Sequence, residues 1–259
     1  MTTKQAKSTI INAQKNNNPK DHLRPGAQTR KRVLYMYLLI DQSKSMDMDQ
    51  KMEVMNNTIN EETKEWIRVA EENGAIIQVQ VITFGEGANR VYDKPINVKD
   101  MEWNDLKATD NATEYGSAFE LLAACLNTHI SKHNLLKPLI VMMSDGQPND
   151  DYRKALNALQ SNPMFIKSDK LAVAIGSDAF KSKALLEFTG NNPERVLCAE
   201  ANEAEVKNMQ AGDLAQAIRF VTTQSLTNSV SMVKRDSAFS SMSESDFTME
   251  NPDDSILVW

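Results

Sequence analysis

The chain has 259 residues, a net charge of −6 and an apolar fraction of 41%. That size and apolar content predict one large α/β domain with excess at its ends, and the acidic balance speaks against wholesale nucleic-acid binding. No apolar run approaches the ~20 residues of a membrane span, and Cys125 and Cys198 show no CxxC or Cys/His zinc spacing, so they read as buried free thiols of a reducing compartment.

Residues 1–32 read as a flexible basic arm. Asn16-Asn17-Asn18-Pro19 and Pro25-Gly26 interrupt any helix, and eight Lys and Arg side chains face the single acid Asp21. The arm is either a solvated leader or a dock for an acidic surface. Met1 to Asn18 contain no apolar signal-peptide core, which predicts a cytoplasmic protein.

From Val33 the pattern alternates strand and helix, and residues 33–235 read as one domain. Val33–Asp41 is apolar throughout, as a strand covered on both faces should be. Met46–Glu72 carries Met52, Met55, Ile59, Trp66, Ile67 and Ala70 at helical spacing, and Asn73-Gly74 stops it. Ala75–Phe84 is a second strand, with a short edge strand near Arg90–Tyr92. Glu114–Asn127 is a helix, Leu139–Met143 a strand, Tyr152–Gln160 a helix, Lys170–Ile175 a strand, Phe180–Phe188 a helix and Val196–Cys198 a last strand. Glu203–Gln210 and Asp213–Val233 read as helical. The sum is a doubly wound, mostly parallel sheet with one short antiparallel edge strand and helices on both faces.

Residues 236–259 form an acidic, Ser-rich tail with no Lys or Arg, closed by the apolar tip Ile256-Leu257-Val258-Trp259. Ser240, Ser241, Ser243, Ser245 and Thr248 stand among its acids, where phosphorylation would add charge. The tail reads as a solvated linker, as a phosphorylated segment, or as a carboxylate donor (Asp253 or Asp254) to a metal.

Asp41-Gln42-Ser43-Lys44-Ser45 follows the first strand. A carboxylate and two hydroxyls in alternation, where a buried strand reaches solvent, make a hard oxygen cluster suited to Mg²⁺ or Mn²⁺. Asp145, in Ser144-Asp145-Gly146, follows another buried strand. Parallel sheets of this kind bind ligands beyond the carboxyl ends of their strands, which brings Asp41 and Asp145 to one crevice.

The Asp-x-Ser-x-Ser pattern resembles the metal-ion-dependent adhesion site of von Willebrand factor A (vWA) domains. Thr113, within Asn111-Ala112-Thr113-Glu114-Tyr115-Gly116, and the Ser144-Asp145-Gly146 segment match that family's second and third loops in order and approximate spacing. The resemblance runs from about Val33 to about Phe220. It implies that Ser43 and Ser45 coordinate a divalent metal directly, that Thr113 does so directly or through water, and that Asp41 and Asp145 supply charge. Hydroxyl ligands leave the ion electrophilic, so a protein partner's acidic group can take an open position. Lys44 and Ala112 depart from the family, which often carries glycine at both places.

Tyr37-Leu38-Leu39-Ile40-Asp41, Ala172-Val173-Ala174-Ile175-Gly176 and the segment around Glu187-Phe188-Thr189 are most similar to the stand-alone bacterial TerY-like vWA proteins. That resemblance implies a non-catalytic interaction module beside a protein kinase and a metal-dependent protein phosphatase, in a stress or defence system. The alternative is an accessory subunit of an ATP-driven metal chelatase or similar AAA+ complex. No placed nucleophile or general base points to an enzyme. His129 and His133, one helical turn apart, lack a third ligand and read as exposed helix residues. Gly85-x-Gly87 is not a dinucleotide fingerprint, because Arg90 stands where the third glycine belongs. Asp150 and Asp151 read as helix N-terminal acids.

Overall fold

In a computed structural model, residues 31–128, 135–176 and 179–199 are described. The basic arm up to residue 30, His129, His133, the helices expected over 203–233 and the acidic tail lie outside them.

The strands are β1 (Arg32–Asp41), β2 (Ala75–Gly85), β3 (Gly87–Arg90), β4 (Ile96–Asn97), β5 (Leu139–Ser144), β6 (Asp169–Ile175) and β7 (Val196–Ala199). They form one sheet in the order β3-β2-β1-β5-β6-β7, with β4 also paired to β2. The pairs among β2, β1, β5, β6 and β7 are parallel; β3 and β4 run antiparallel to β2. The edge expected near Arg90–Tyr92 therefore comes as two short pieces. The first is a hairpin in which Gly85 pairs with Gly87, whose φ of +80° suits glycine.

The helices are α1 (Lys51–Glu72), α2 (Tyr115–Thr128), α3 (Arg153–Gln160), α4 (Pro163–Lys167) and α5 (Lys183–Phe188). The helix expected from Met46 starts five residues later. Lys44–Gln50 form a 3-10 turn interrupted by Met48, and Asp49 and Gln50 are left-handed, with φ of 54° and 57°. Pro163 opens α4, where its missing N–H costs nothing and Asn162 caps the next two amides. Phe180–Phe188 likewise divides into a 3-10 turn, Ala179–Lys181, and α5.

The alternation of β1 builds two cores. Leu34, Met36, Leu38 and Ile40 pack with Met55, Ile59 and Trp66 of α1. Tyr35, Tyr37 and Leu39 pack on the opposite face with Tyr115, Phe119 and Leu122 of α2, and with α3, α4 and α5. Phe119 stacks on Phe188 at 5.8 Å, tying α2 to α5. Cys125 is a buried free thiol whose proton is held more tightly by burial. No described helix is long and apolar enough to cross a membrane.

Candidate metal centre

The sheet order reverses its direction of growth at β1, which has β2 on one side and β5 on the other. Ile40 pairs with Met143, so the next residue of each strand, Asp41 and Ser144, emerges at the same end. Both continue the alternation toward the α2 face.

Asp41 is fully buried. Its Oδ1 accepts a 2.8 Å hydrogen bond from the Ser43 backbone N–H, and its Oδ2 accepts one of 2.5 Å from Ser144 Oγ. Burial pushes the Asp41 carboxyl above its ordinary range; the bonds from Ser144 and Ser43 oppose that, and the neighbouring Asp145 adds to it. Ser144 in turn accepts from Gly146 N at 3.2 Å and lies 2.8 Å from the Tyr115 hydroxyl, which also reaches Gly146 O at 3.0 Å. Burial drives the Tyr115 phenol far above its ordinary value, so it serves as a neutral hydrogen-bonding group.

From Asp41 the loop carries the serines across to Asp145. Ser43 Oγ and Ser45 Oγ are 3.0 Å apart, and Ser45 Oγ donates to Asp145 Oδ1 at 2.8 Å. The second oxygen of Asp145 accepts from Lys51 Nζ at 2.6 Å. The Asp145 side chain is 1% exposed and that of Lys51 13%. Asp41, Ser43, Ser45 and Asp145 are thus brought together.

Thr113 is buried and bound to the same loop as Asp145. Its N–H donates to Asn149 Oδ1 and its carbonyl accepts from Asn149 N, both at 3.1 Å. Its hydroxyl makes no hydrogen bond to a described residue, and so is not linked directly to the other four. Asp150 clamps the start of α2, accepting from Tyr115 N at 3.1 Å and Gly116 N at 2.7 Å. Asp150 is therefore a helix N-terminal acid, but of α2, 35 residues upstream, rather than of the adjacent α3. A Cβ on Gly116 would lie 2.6 Å from Asp150 Oδ2, so the clamp needs glycine there.

The two departures from the family pattern have local explanations. Lys44 Nζ donates to Asn111 Oδ1 at 2.6 Å, and Asn111 Nδ2 donates to Glu86 Oε1 at 3.0 Å. Lys44 N also bonds Asp110 O at 2.8 Å. Lys44 thus joins the first loop to the second at the exposed rim. Ala112 is not among the residues with positive φ, so its backbone requires no glycine. Instead Gly85 is the constrained position, since a Cβ there would lie 2.3 Å from Asp110 Oδ2.

No protein-family model and no curated protein matches the chain. Solved structures do. Proximal thread matrix protein 1 from the mussel byssus aligns with a TM-score of 0.51 at 17% identity, over 73% of this chain and 48% of that one. The pilus adhesin SpaC of Lactobacillus rhamnosus GG, in its open conformation, aligns at 0.54 and 12% identity, over 74% of this chain and 30% of that one. The PilB minor pilin of Streptococcus sanguinis, as its D319A mutant, aligns at 0.50 and 12% identity, over 77% and 64%. The fold is the vWA, Rossmann-like α/β fold. The chain spans about half the length of the mussel protein and under a third of the adhesin.

The donor set fits a hard divalent cation. Adjacent oxygens around an octahedral Mg²⁺ at about 2.0–2.1 Å stand about 2.8–3.0 Å apart. The Ser43–Ser45 and Ser45–Asp145 separations of 3.0 and 2.8 Å match such edges. Two buried carboxylates supply the charge. Among the described residues no group of three or more His, Cys, Asp or Glu could hold a metal, so an ion here relies on hydroxyls. Lys51, Ser144, Tyr115, Asn149 and Asp150 complete the constellation; Ser144 and Tyr115 stand inside the matched segments without a role assigned to them there, and Lys51 had no sequence signal.

Proposed function

We propose that this chain is a non-catalytic, divalent-metal-dependent protein-interaction module. Ser43, Ser45 and Thr113 would hold Mg²⁺, or Mn²⁺, with Asp41 and Asp145 balancing its charge. The bound ion would supply a Lewis-acidic position for a partner's carboxylate. The observation that carries this reading is the run of oxygens Ser43–Ser45–Asp145, at separations suited to an octahedral ion, held beside Asp41 by the bond from Ser43 N–H to Asp41 Oδ1.

The resemblance of Tyr37–Asp41, Ala172–Gly176 and the segment around Glu187–Thr189 to TerY-like proteins supports a setting beside a protein kinase and a metal-dependent phosphatase. The test is calorimetric titration of Mg²⁺ and Mn²⁺ into the full chain and into Asp41→Ala and Ser43→Ala, followed by co-purification with and without chelator. Metal binding confined to the wild type, and a kinase or phosphatase captured only with metal, is the expected result. A wild type that binds neither ion at millimolar concentration would overturn the proposal.

A further inference from the structure

Lys51 stands where a lysine is least expected. It is the first residue of α1, at the positive end of a 22-residue helix, where an ammonium is electrostatically disfavoured. It follows two left-handed non-glycine residues, Asp49 and Gln50, a conformation that only surrounding contacts sustain. Its side chain is nonetheless largely buried and ends on the buried carboxylate of Asp145. Nζ donates to Asp145 Oδ2 at 2.6 Å and lies 3.4 Å from Ser45 O. The stem runs past Gly176, where a Cβ would be in ordinary contact, 3.5 Å from Lys51 Cε. Helix preference does not explain this placement; the charge of Asp145 does.

Both Asp145 oxygens are thereby engaged, one by Ser45 and one by Lys51. Ser45 and Asp145 are also the oxygens a divalent ion would draw on. We propose that Lys51 is an internal competitor for that ion: its ammonium neutralises Asp145, and metal binding displaces it. The inference rests on the metal-dependent reading above. It assigns Lys51 the setting of metal affinity, so that the centre loads at a higher ion concentration than its oxygens alone would require. Release of Lys51 also frees a tethered cation at the rim, beside the position offered to a partner's carboxylate.

The experiment is Mn²⁺ titration, by calorimetry, of the wild-type full chain, Lys51→Met and Lys51→Arg. Removing a cation in contact with a ligand carboxylate should tighten Mn²⁺ binding by about tenfold or more in Lys51→Met, while Lys51→Arg, which keeps the charge, should stay within about threefold of wild type. A second measurement needs no variant: the rate of acetylation of the Lys51 amine, followed by mass spectrometry, should rise at saturating Mg²⁺. Unchanged or weaker Mn²⁺ binding by a folded Lys51→Met would overturn the proposal, as would acetylation that is unaffected or slowed by Mg²⁺. If neither wild type nor Lys51→Met binds Mn²⁺ at all, the metal-dependent reading fails and takes this inference with it. Equal binding by both sinks the competitor role alone.

Discussion

Ser144 Oγ donates a 2.5 Å hydrogen bond to Asp41 Oδ2 from 103 residues away in the chain, and both groups are fully buried. An ionised carboxylate withdrawn from water depends on such donors, because little else compensates for its lost hydration. Ser144→Ala removes a donor to Asp41. It should destabilise the chain by about 2 kcal/mol, the loss expected for a buried bond to a charged group. Urea unfolding with an unchanged m-value would show it.

The Asp150 clamp predicts a coupling. Asp150→Ala leaves two N-terminal amides of α2 without acceptors and should cost about 1–2 kcal/mol in urea. Gly116→Ala forces a Cβ against the same carboxylate and should also destabilise. In the double variant the collision is gone, so the two losses should add to less than their sum.

Glu187 predicts a pH dependence. Tyr152 OH donates to Glu187 Oε2 at 2.7 Å, and Lys183 and Arg153 stand 3.4 and 3.7 Å from its carboxylate oxygens. The Tyr152 bond, aided by the two cations, holds Glu187 below its ordinary value of 4.5, while Tyr152 is pushed up to about 12, mainly by its own burial. A carboxyl lowered by folding stabilises above its unfolded value, and that gain fades as pH falls through the folded value. Glu187→Gln should therefore be less stable by about 1 kcal/mol at pH 7, discounted for solvent screening. The difference should shrink progressively below pH 4.5, as followed by thermal unfolding across pH.

Lys44 and Lys51 should behave oppositely although both are cations of the same loop region. Lys44 is exposed and bonds only the rim, so Lys44→Ala should change stability by less than about 0.5 kcal/mol in urea. A large loss there would mean that the Lys44–Asn111–Glu86 chain holds the second loop in place.

Metal removal should be legible in stability. If Mg²⁺ binds the folded chain alone, saturation to a hundredfold its Kd adds about 2.7 kcal/mol, and a chelator abolishes the gain. Asp41→Ala should show no response to Mg²⁺ in the same thermal scan.

The buried strands were legible because both faces are covered, so Val33–Ile40 and Leu139–Met143 run apolar without interruption. Their carboxyl ends then indicated that Asp41 and Asp145 would meet. The break at Asp49–Gln50 was not legible, since neither glycine nor proline marks it and the apolar stripe from Met46 onward mimics one helix. Lys51 was hidden for the same reason: it sat inside an expected helix, where a lone lysine reads as solvent-facing. Asp150 misled because caps are sought beside their own helix, whereas this one reaches back to α2. Ser144 and Tyr115 lay within the matched segments, but a strand-end hydroxyl and one more aromatic of the core gave no sign of the bonds they make to Asp41 and Gly146.

The alternation of β1 serves the two cores and the centre from one reading frame. Even-numbered residues from Leu34 to Ile40 face α1, and odd-numbered residues from Tyr35 to Leu39 face α2, with Asp41 next in that second series. Deleting one residue anywhere between them would exchange the two faces and carry the carboxylate away from Ser144 in the same step. Insertions and deletions in this strand are thus forbidden twice over.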